Sequence, residues 1–555
     1  MEIGRRVSLP MLALAAAAVM ASQAAYAGSG EKRPNILFIM ADDHTYQAIG
    51  AYGSRLAALN PTPNLDRLAR EGMRLDRVFC NNSICSPSRA SIISGQYSQA
   101  NEVRNLDQVL PPERQYLPLL MRRAGYLTGI VGKWHLTAEP QFDYYRVLPG
   151  QGKYFDPQFF EKGHGTYGKD RVGSEGHSTD VITDAALQWL KGRDKSRPFF
   201  FCLHYKAPHD NFEYAPRYES YLADVHIPEP DNLLEMGHHG SIATRGDRDE
   251  LIHYLASSVG KRNVFRTQTA ILDLQNSPLS GAALTREAYQ RYLKKYLRCV
   301  KGVDDNVQRV FDYLRREGSL DNTVILYTGD QGMWLGEHDY IDKRWMYEES
   351  MRMPLLVRYP PAIKAGTTST ALINNTDFAP TMLDFAGVKT PDSMHGRSIR
   401  PTLETGKTPA DWRHAIYYRY WMHLAHHWNP AHFGIRTDDF KLIFFYGIGA
   451  DGRGIQTPPG WEFYDLRKDP EEMNNAYDDP TYAPIIAGLK QDLLRLREQF
   501  GETDANYPAV QAIIDRHWNT TPQSRAEAVR ISHQARTAFE KQQAGRKAAK
   551  KGGRK

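Results

Sequence analysis

Asp42-Asp43 follow the apolar run Asn35-Ile-Leu-Phe-Ile-Met40, and Asp330-Gln331 follow a second, Thr323-Val-Ile-Leu-Tyr327. If both runs are strands of one sheet, their tips bring three carboxylates and an amide oxygen together. An oxygen-only set of this kind suits a hard cation, Ca²⁺ with Mg²⁺ as the alternative, and does not suit zinc. Either pair alone is as readily read as turn residues after a strand; both together point to a metal. Cys85 stands just ahead of Pro87, a residue that starts helices, with Arg89 one turn on. That places a thiol at the positive end of a helix beside a cation, where a thiolate is favoured. A buried helix-start cysteine is the plainer alternative. Lys133 and His135 end a third apolar run, His209 closes His204-Tyr-Lys206-Ala-Pro208-His209 after a fourth, and Lys343 precedes Tyr347-Glu348. Singly these are weak signals in a chain with 19 His. Jointly, two lysines, two histidines and an arginine beside a divalent cation describe a pocket for a tetrahedral oxyanion.

In an open parallel sheet, ligands bind beyond the carboxyl ends of the strands, so these groups require strands that run side by side. Short runs apolar on both faces (35–40, 126–131, 198–203, 323–327, 355–359) alternate with helical patterns near 63–71, 117–124, 179–190, 286–317 and 377–385. This pattern predicts an α/β fold, a mostly parallel central sheet sandwiched by helices. Past about residue 400 come four closely spaced short strands, 415–420, 433–436, 441–445 and 462–465, with a helix near 482–499. They read as a smaller α+β subdomain with an antiparallel sheet. The expected organisation is a catalytic domain over 28–400, this subdomain over 401–524, and a basic, flexible tail over 525–555. Residues 236–282, rich in Gly, His and Ser, read as an insertion.

Length and composition fit a large globular chain: 555 residues, 41% hydrophobic and 24% charged, with four cysteines. Wholesale disorder, a collagen-like repeat and a disulfide-stapled miniprotein are excluded. The net charge of +6 is not a global field, because from Arg525 onward there are ten Lys/Arg against two Asp/Glu. The body is close to neutral, nucleic acid is not an expected partner, and any anion site is a local cluster. Arg5-Arg6, the apolar run Met11–Met20 and Ala25-Tyr26-Ala27 have the three parts of a secretory signal peptide over 1–27. No later stretch is long and apolar enough for a transmembrane anchor, so the protein is expected to be exported to the periplasm or the medium. Cys80, Cys85, Cys202 and Cys299 show no framework spacing.

Cys85-Ser86-Pro87-Ser88-Arg89, with Ile92-Ile93 and Gly95 behind it, resembles the Cys-x-Pro-x-Arg motif of type I sulfatases. Gly125-Tyr126-Leu-Thr128-Gly129-Ile-Val-Gly132-Lys133-Trp134-His135 resembles the second motif of that family. The Asp-Asp pair, Ala207-Pro208-His209 and Lys343-x-x-x-Tyr347-Glu348 fall in family order. Ser94 where Thr is usual, and Gln331 where Asn or His is common, are the departures, and Gln keeps a neutral oxygen donor.

The resemblance implies an alkaline-phosphatase-like fold and a sulfuric ester hydrolase. It further implies that a maturing enzyme oxidises Cys85 to formylglycine, whose hydrate attacks sulfur. Asp42, Asp43, Asp330, Gln331 and residue 85 would hold the cation. Arg89 and Lys133 would orient the nucleophile, Lys343 and Lys133 would bind sulfate, and His209 and His135 would move protons, with their acid and base roles reversible. Segments such as Val147-Leu-Pro-Gly-Gln-Gly-Lys-Tyr154 and Trp461-Glu-Phe-Tyr-Asp-Leu466 resemble N-acetylglucosamine-6-sulfatases acting on glycosaminoglycans or related polysaccharides. A sulfated carbohydrate is therefore the expected substrate, with His338, Arg352 and His432 as candidate sugar contacts. A phosphomonoester or phosphonate hydrolase of the same superfamily and, if Cys85 stays a thiol, a non-catalytic glycan binder are the alternatives.

Overall fold

Alternate side chains of the first strand enter two different cores, and the rest of the sheet is built around that strand. In β1 (Asn35–Asp42), Ile36, Phe38 and Met40 face one layer and Leu37, Ile39 and Ala41 the other, all buried. The computed structural model describes residues 33–234 and 239–552, so the expected leader at 1–27 lies outside the described residues. β1 is flanked by β7 (Phe199–Pro208) and β8 (Thr323–Gly329), with β3 (Leu127–Lys133) and β4 (Tyr144–Leu148) beyond β7, all five parallel. One layer buries Leu65 and Leu68 of helix Pro63–Glu71, Ile182 and Leu190 of Ser178–Gly192, and Leu293 and Val303 of Gly281–Arg316. The opposite layer buries Ile92 of helix Cys85–Ser94, Leu117 of Tyr116–Arg123 and Met382 of Phe378–Phe385. A strand buried on both faces has no polar alternation, which explains the continuous apolar runs.

The apolar run at 355–359 does not continue the parallel series. It belongs to β11 (Arg352–Arg358), which runs antiparallel between β8 and β2 (Met73–Phe79). No crossover helix separates β8 from β11. The chain between them stays at the carboxyl end of the sheet, forms a hairpin of β9 (Trp334–Leu335) and β10 (Ile341–Asp342), and then turns down into β11. That excursion carries Lys343 over the strand tips.

The second sheet is antiparallel in the order β14 (Ala415–Tyr420), β15 (His432–Thr437), β16 (Phe440–Phe445), β17 (Gly460–Asp465). Leu489 and Leu493 of helix Ala483–Gln499 pack behind it. Glu348 ties it to the first sheet, 3.2 Å from Arg436 Nε on β15 and 3.0 Å from Lys441 Nζ on β16. Residues 525–552 of the basic stretch expected as a flexible tail belong instead to helix Pro522–Gly552, and 553–555 lie outside the described residues. Ala528, Ile531, Ala535 and Phe539 fall on one stripe at steps of three and four and are buried, the last two against Leu251 and Leu255 of the 236–282 segment. Composition misses this helix because its large apolar residues are few; their spacing is what anchors it.

Helix Pro63–Glu71 has no side-chain cap of its own from Thr62. Asp304, on the long helix, accepts from the backbone N–H of Leu65 at 2.9 Å and of Asn64 at 3.2 Å. Burial raises the Asp304 carboxyl to about 6 against these bonds. Asp304→Ala leaves one buried and one half-buried donor unpaired and is expected to lower stability by about 1–3 kcal/mol, read as a lowered denaturant midpoint with an unchanged slope.

Candidate active site

Strand tips must approach closely before their side chains can share a cation, and small residues permit it. A Cβ on Gly329, at the end of β8, would lie 2.4 Å from the carbonyl oxygen of His44. Gly132 in β3 has φ +105°, and its Cβ would meet the His204 carbonyl oxygen on β7. With these approaches open, Asp330 Oδ1 accepts from the Asp43 N–H at 3.0 Å, so the tips of β1 and β8 meet.

Helix Cys85–Ser94 begins at Cys85 itself, is buried throughout and ends on Gly95 at φ 68°. Arg89, one turn in, joins three strands: Nε donates to Asp330 Oδ2 at 2.9 Å, Nη1 to the Lys133 carbonyl at 2.8 Å and Nη2 to Asp42 Oδ1 at 3.3 Å. Ser86 Oγ donates to the His135 carbonyl at 2.8 Å, and Asn375 Nδ2 donates to Ser88 Oγ at 2.9 Å. The helix start is thereby pinned from several sides. Around it, Lys133 Nζ donates to Asp42 and Gln151, and Lys343 Nζ sits 2.5 Å from both oxygens of Asp43.

The charges are mutually dependent. Burial opposes ionisation of the Cys85 thiol, but Lys133 and Lys343 outweigh it and bring the thiol down to about 6. Burial would also raise Asp42, yet Lys133, His209 and Arg89 hold it well below the usual carboxylate range. Asp330 is pushed the other way, by burial and by its neighbour Asp42. His209 Nδ1 lies 2.6 Å from Asp210 Oδ1, and its Nε2 lies 3.7 Å from Asp43 Oδ2. Burial works against a charge on His209, but Asp43 and Asp42 overcome it and raise it to about 10. His135 is lowered by burial and by Lys133, and its Nδ1 is buried without a hydrogen-bond partner.

The residues fit a hard divalent cation. One donor atom each of Asp42, Cys85 and Asp330 lies within 4.8 Å of the others, as do those of Asp43, Cys85 and His209. Gln331 Oε1 is buried with no donor, while its Nε2 donates to Asp43. Three carboxylates and an amide oxygen without a donor, converging in one buried site beside residue 85, are an oxygen-rich donor set of the kind a hard divalent ion takes.

Asp42, Asp43, Cys85, Arg89, Lys133, His135, His209, Asp330, Gln331 and Lys343 all meet here. The three candidate sugar contacts do not join them. His338 is fully buried, with Nε2 2.9 Å from the Glu471 carbonyl and its ring edge-on to Trp334. His432 is fully buried between Trp345 and Tyr418, with Nδ1 2.8 Å from the Pro430 carbonyl. Both rings are packing residues of the core, without surface for a ligand. Arg352 lies 4.0 Å over the Tyr46 ring in a separate cavity, with Tyr52, Glu348 and Glu349. The aromatic run Tyr417–Trp421 is buried throughout, in core strand β14 as far as Tyr420.

Groups that the sequence reading passed over surround the opening instead. Asp210 holds His209; Lys206 lies 4.6 Å over the Tyr154 ring. Arg344 pairs with Asp342, whose other neighbour is His427 Nδ1 at 3.4 Å. Arg266 reaches Asp210 at 3.8 Å. Asp210, Asp342 and Arg344 adjoin named motif residues and Gln151 lies within the Val147–Tyr154 segment, so a signal was present for them; nothing local marks Arg266 or His427.

Residues 34–388 match the family model described as Sulfatase. The chain belongs to the sulfatase family, whose members hydrolyse sulfate esters. Residues 336–499 also match the model described as N-sulphoglucosamine sulphohydrolase, C-terminal. An N-acetylglucosamine-6-O-sulfatase of Bacteroides thetaiotaomicron is 42% identical over 507 residues, 85% of this chain and 88% of that protein. A solved structure of a protein in complex with its substrate D-glucosamine-2-N,6-O-disulfate superposes with a TM-score of 0.74 at 40% identity, covering 85% of this chain and 99% of the other. The phosphonate monoester hydrolase of Agrobacterium radiobacter shares the alkaline-phosphatase-like fold, with a TM-score of 0.64 at 24% identity over 84% of this chain and 96% of that one.

Proposed function

We propose that this sulfatase is an exported enzyme that removes sulfate from the 6-position of a glucosamine-type sugar in a glycosaminoglycan or similar polysaccharide. The likeness to the Bacteroides 6-O-sulfatase over nearly the whole described chain supports this substrate class. The observation that carries the chemistry is the convergence of Cys85, three strand-tip carboxylates and the Lys133, Lys343 and Arg89 cations in one buried cluster.

Residue 85, oxidised to formylglycine by a maturing enzyme, supplies the nucleophilic oxygen. Asp42, Asp43, Asp330, Gln331 and residue 85 would hold Ca²⁺ or Mg²⁺, which when bound lowers the pKa of that nucleophile and offsets sulfate charge. Lys133 and Lys343 present ammonium groups to the sulfate oxygens, stabilising charge as the S–O bond breaks. Arg89 fixes the helix start against three strands and so fixes the line of attack. Asp210 engages His209 Nδ1, which leaves Nε2 to give its proton to the departing sugar oxygen. His135, beside Cys85 and with a free Nδ1, accepts the proton that is lost when sulfate is released and the aldehyde re-forms.

Turnover of N-acetylglucosamine-6-sulfate, its 3-sulfate isomer and an aryl phosphate by the matured protein tests the assignment. The 6-sulfate is expected to be preferred at least about 100-fold in kcat/KM, the discrimination of a site that hydrogen-bonds its substrate. Preference for the 3-isomer removes the positional assignment. Preference for phosphate removes the sulfatase reading in favour of a phosphoester hydrolase.

A further inference from the structure

We infer that the basic end of helix Pro522–Gly552, where Lys541, Arg546 and Lys547 are exposed, is a docking surface for the anionic chain of a sulfated polysaccharide whose reacting sugar occupies the Cys85 site. This rests on the sulfated-glycan reading above. The helix is charged in two ways along its length. As far as Glu540 its acidic residues are paired: Arg516, on the preceding helix, meets Glu527, and Arg536 meets Glu540. From Lys541 to Lys555 there are seven Lys/Arg and no Asp/Glu. Lys541, Arg546 and Lys547 are exposed, and among the described residues none of them forms an ion pair.

This end of the helix is linked to the site through two short series of contacts. The Arg546 guanidinium stands 5.0 Å from the Phe265 ring and 5.3 Å from the Trp428 ring, and those two rings stack at 4.4 Å. The next residue after Phe265 is Arg266, which meets Asp210, the partner of His209. The residue before Trp428 is His427, which meets Asp342. Exposed His426 feels Arg344, Asp107, Arg266 and Asp342 together, so these groups crowd one rim. The uncompensated charge is therefore joined to these groups through Arg546 and the rings it covers.

Three properties favour a sulfated glycan over other polyanions. A polymer that presents one sulfate ester to Cys85 carries further sulfates along its length, matched by spaced lysines. The apolar stripe of the helix is turned into the protein, so no apolar face is left to enter a bilayer. The rings nearest the basic turn are covered by Arg546, so no stacking platform serves nucleic-acid bases.

The full-length variant K541Q/K547Q/K550Q/K551Q keeps Arg546 and the buried stripe, and Lys→Gln leaves helix propensity nearly unchanged. It is compared with the wild type on a sulfated monosaccharide and on a sulfated polysaccharide at low and high salt, with retention on the immobilised polysaccharide measured in parallel. At low salt, KM for the polymer is expected to rise about tenfold while the monosaccharide constants stay put, and the difference closes at high salt as screening sets in. An unchanged polymer KM, an equal loss on both substrates, or tighter binding of wild type to duplex DNA or anionic vesicles than to the sulfated chain overturns the inference. If neither sugar is hydrolysed, the sulfatase reading fails by itself; retention of wild type but not variant on the polysaccharide still upholds the surface, and equal retention removes it.

Discussion

Cys85→Ala is expected to lower sulfate-ester turnover by roughly 10⁴-fold or more, as removal of an attacking group does elsewhere. The fold should survive. The side chain is 2% exposed, and losing one sulfur from a helix start held by Ser86, Ser88 and Arg89 costs about 1 kcal/mol, a shift of about one degree in Tm for a chain this long. Binding of sulfated sugar should also survive, because Lys133, Lys343 and Arg89 remain. Mass spectrometry of the wild-type peptide containing residue 85 completes the test. Turnover retained in Cys85→Ala removes the nucleophile, and active protein with an unmodified thiol removes formylglycine. A chain bearing only the thiol that binds sulfated sugar without turning it over is the glycan binder.

The second large effect concerns the cation. Chelation is expected to lower kcat/KM by roughly a thousandfold, the several kcal/mol that a bound metal contributes to charge stabilisation. Ca²⁺ or Mg²⁺ should restore activity and Zn²⁺ should not, because the donor set is oxygen-rich. Asp43→Asn should show the same loss and resist rescue, since Asp43 meets Lys343, Gln331 and His209 at once. A readout independent of turnover is the Tm: Ca²⁺ at 100 times its Kd stabilises a folded protein by about 2.7 kcal/mol, and Asp43→Asn should abolish that rise. Equal rescue by Zn²⁺, or an unchanged Tm, would falsify the oxygen site.

Much of this site is legible in the sequence because its residues sit at the ends of runs whose burial is itself legible. Asp42-Asp43 and Asp330-Gln331 follow strands apolar on both faces, and such strands are central and parallel in an α/β fold. Lys133 and His209 stand at the ends of two more. Hydrophobic period thus identified both the elements and their chemically active ends. The same logic misjudged His338 and His432: a histidine in a polar-looking segment carries no local mark of whether its ring faces solvent, and aromatic rings enclose both, Trp334 and Tyr347 around His338 and Trp345, Tyr418 and Phe445 around His432. It also misjudged the C-terminal segment, where four apolar side chains on one helical stripe outweigh a basic composition.

The sequence by itself determined the α/β class, the antiparallel second sheet, the family and the oxygen, thiol, lysine and histidine groups of the site, because each is written in local spacing and residue type. Tertiary structure alone decided that β11 runs antiparallel and so carries Lys343 over the strand tips. It also decided that Asp210 holds His209, and that Gln151, Arg266 and His427 gather at the opening. These depend on which strands become neighbours and where a loop returns to the sheet, and such long-range pairings leave no periodic trace along the chain.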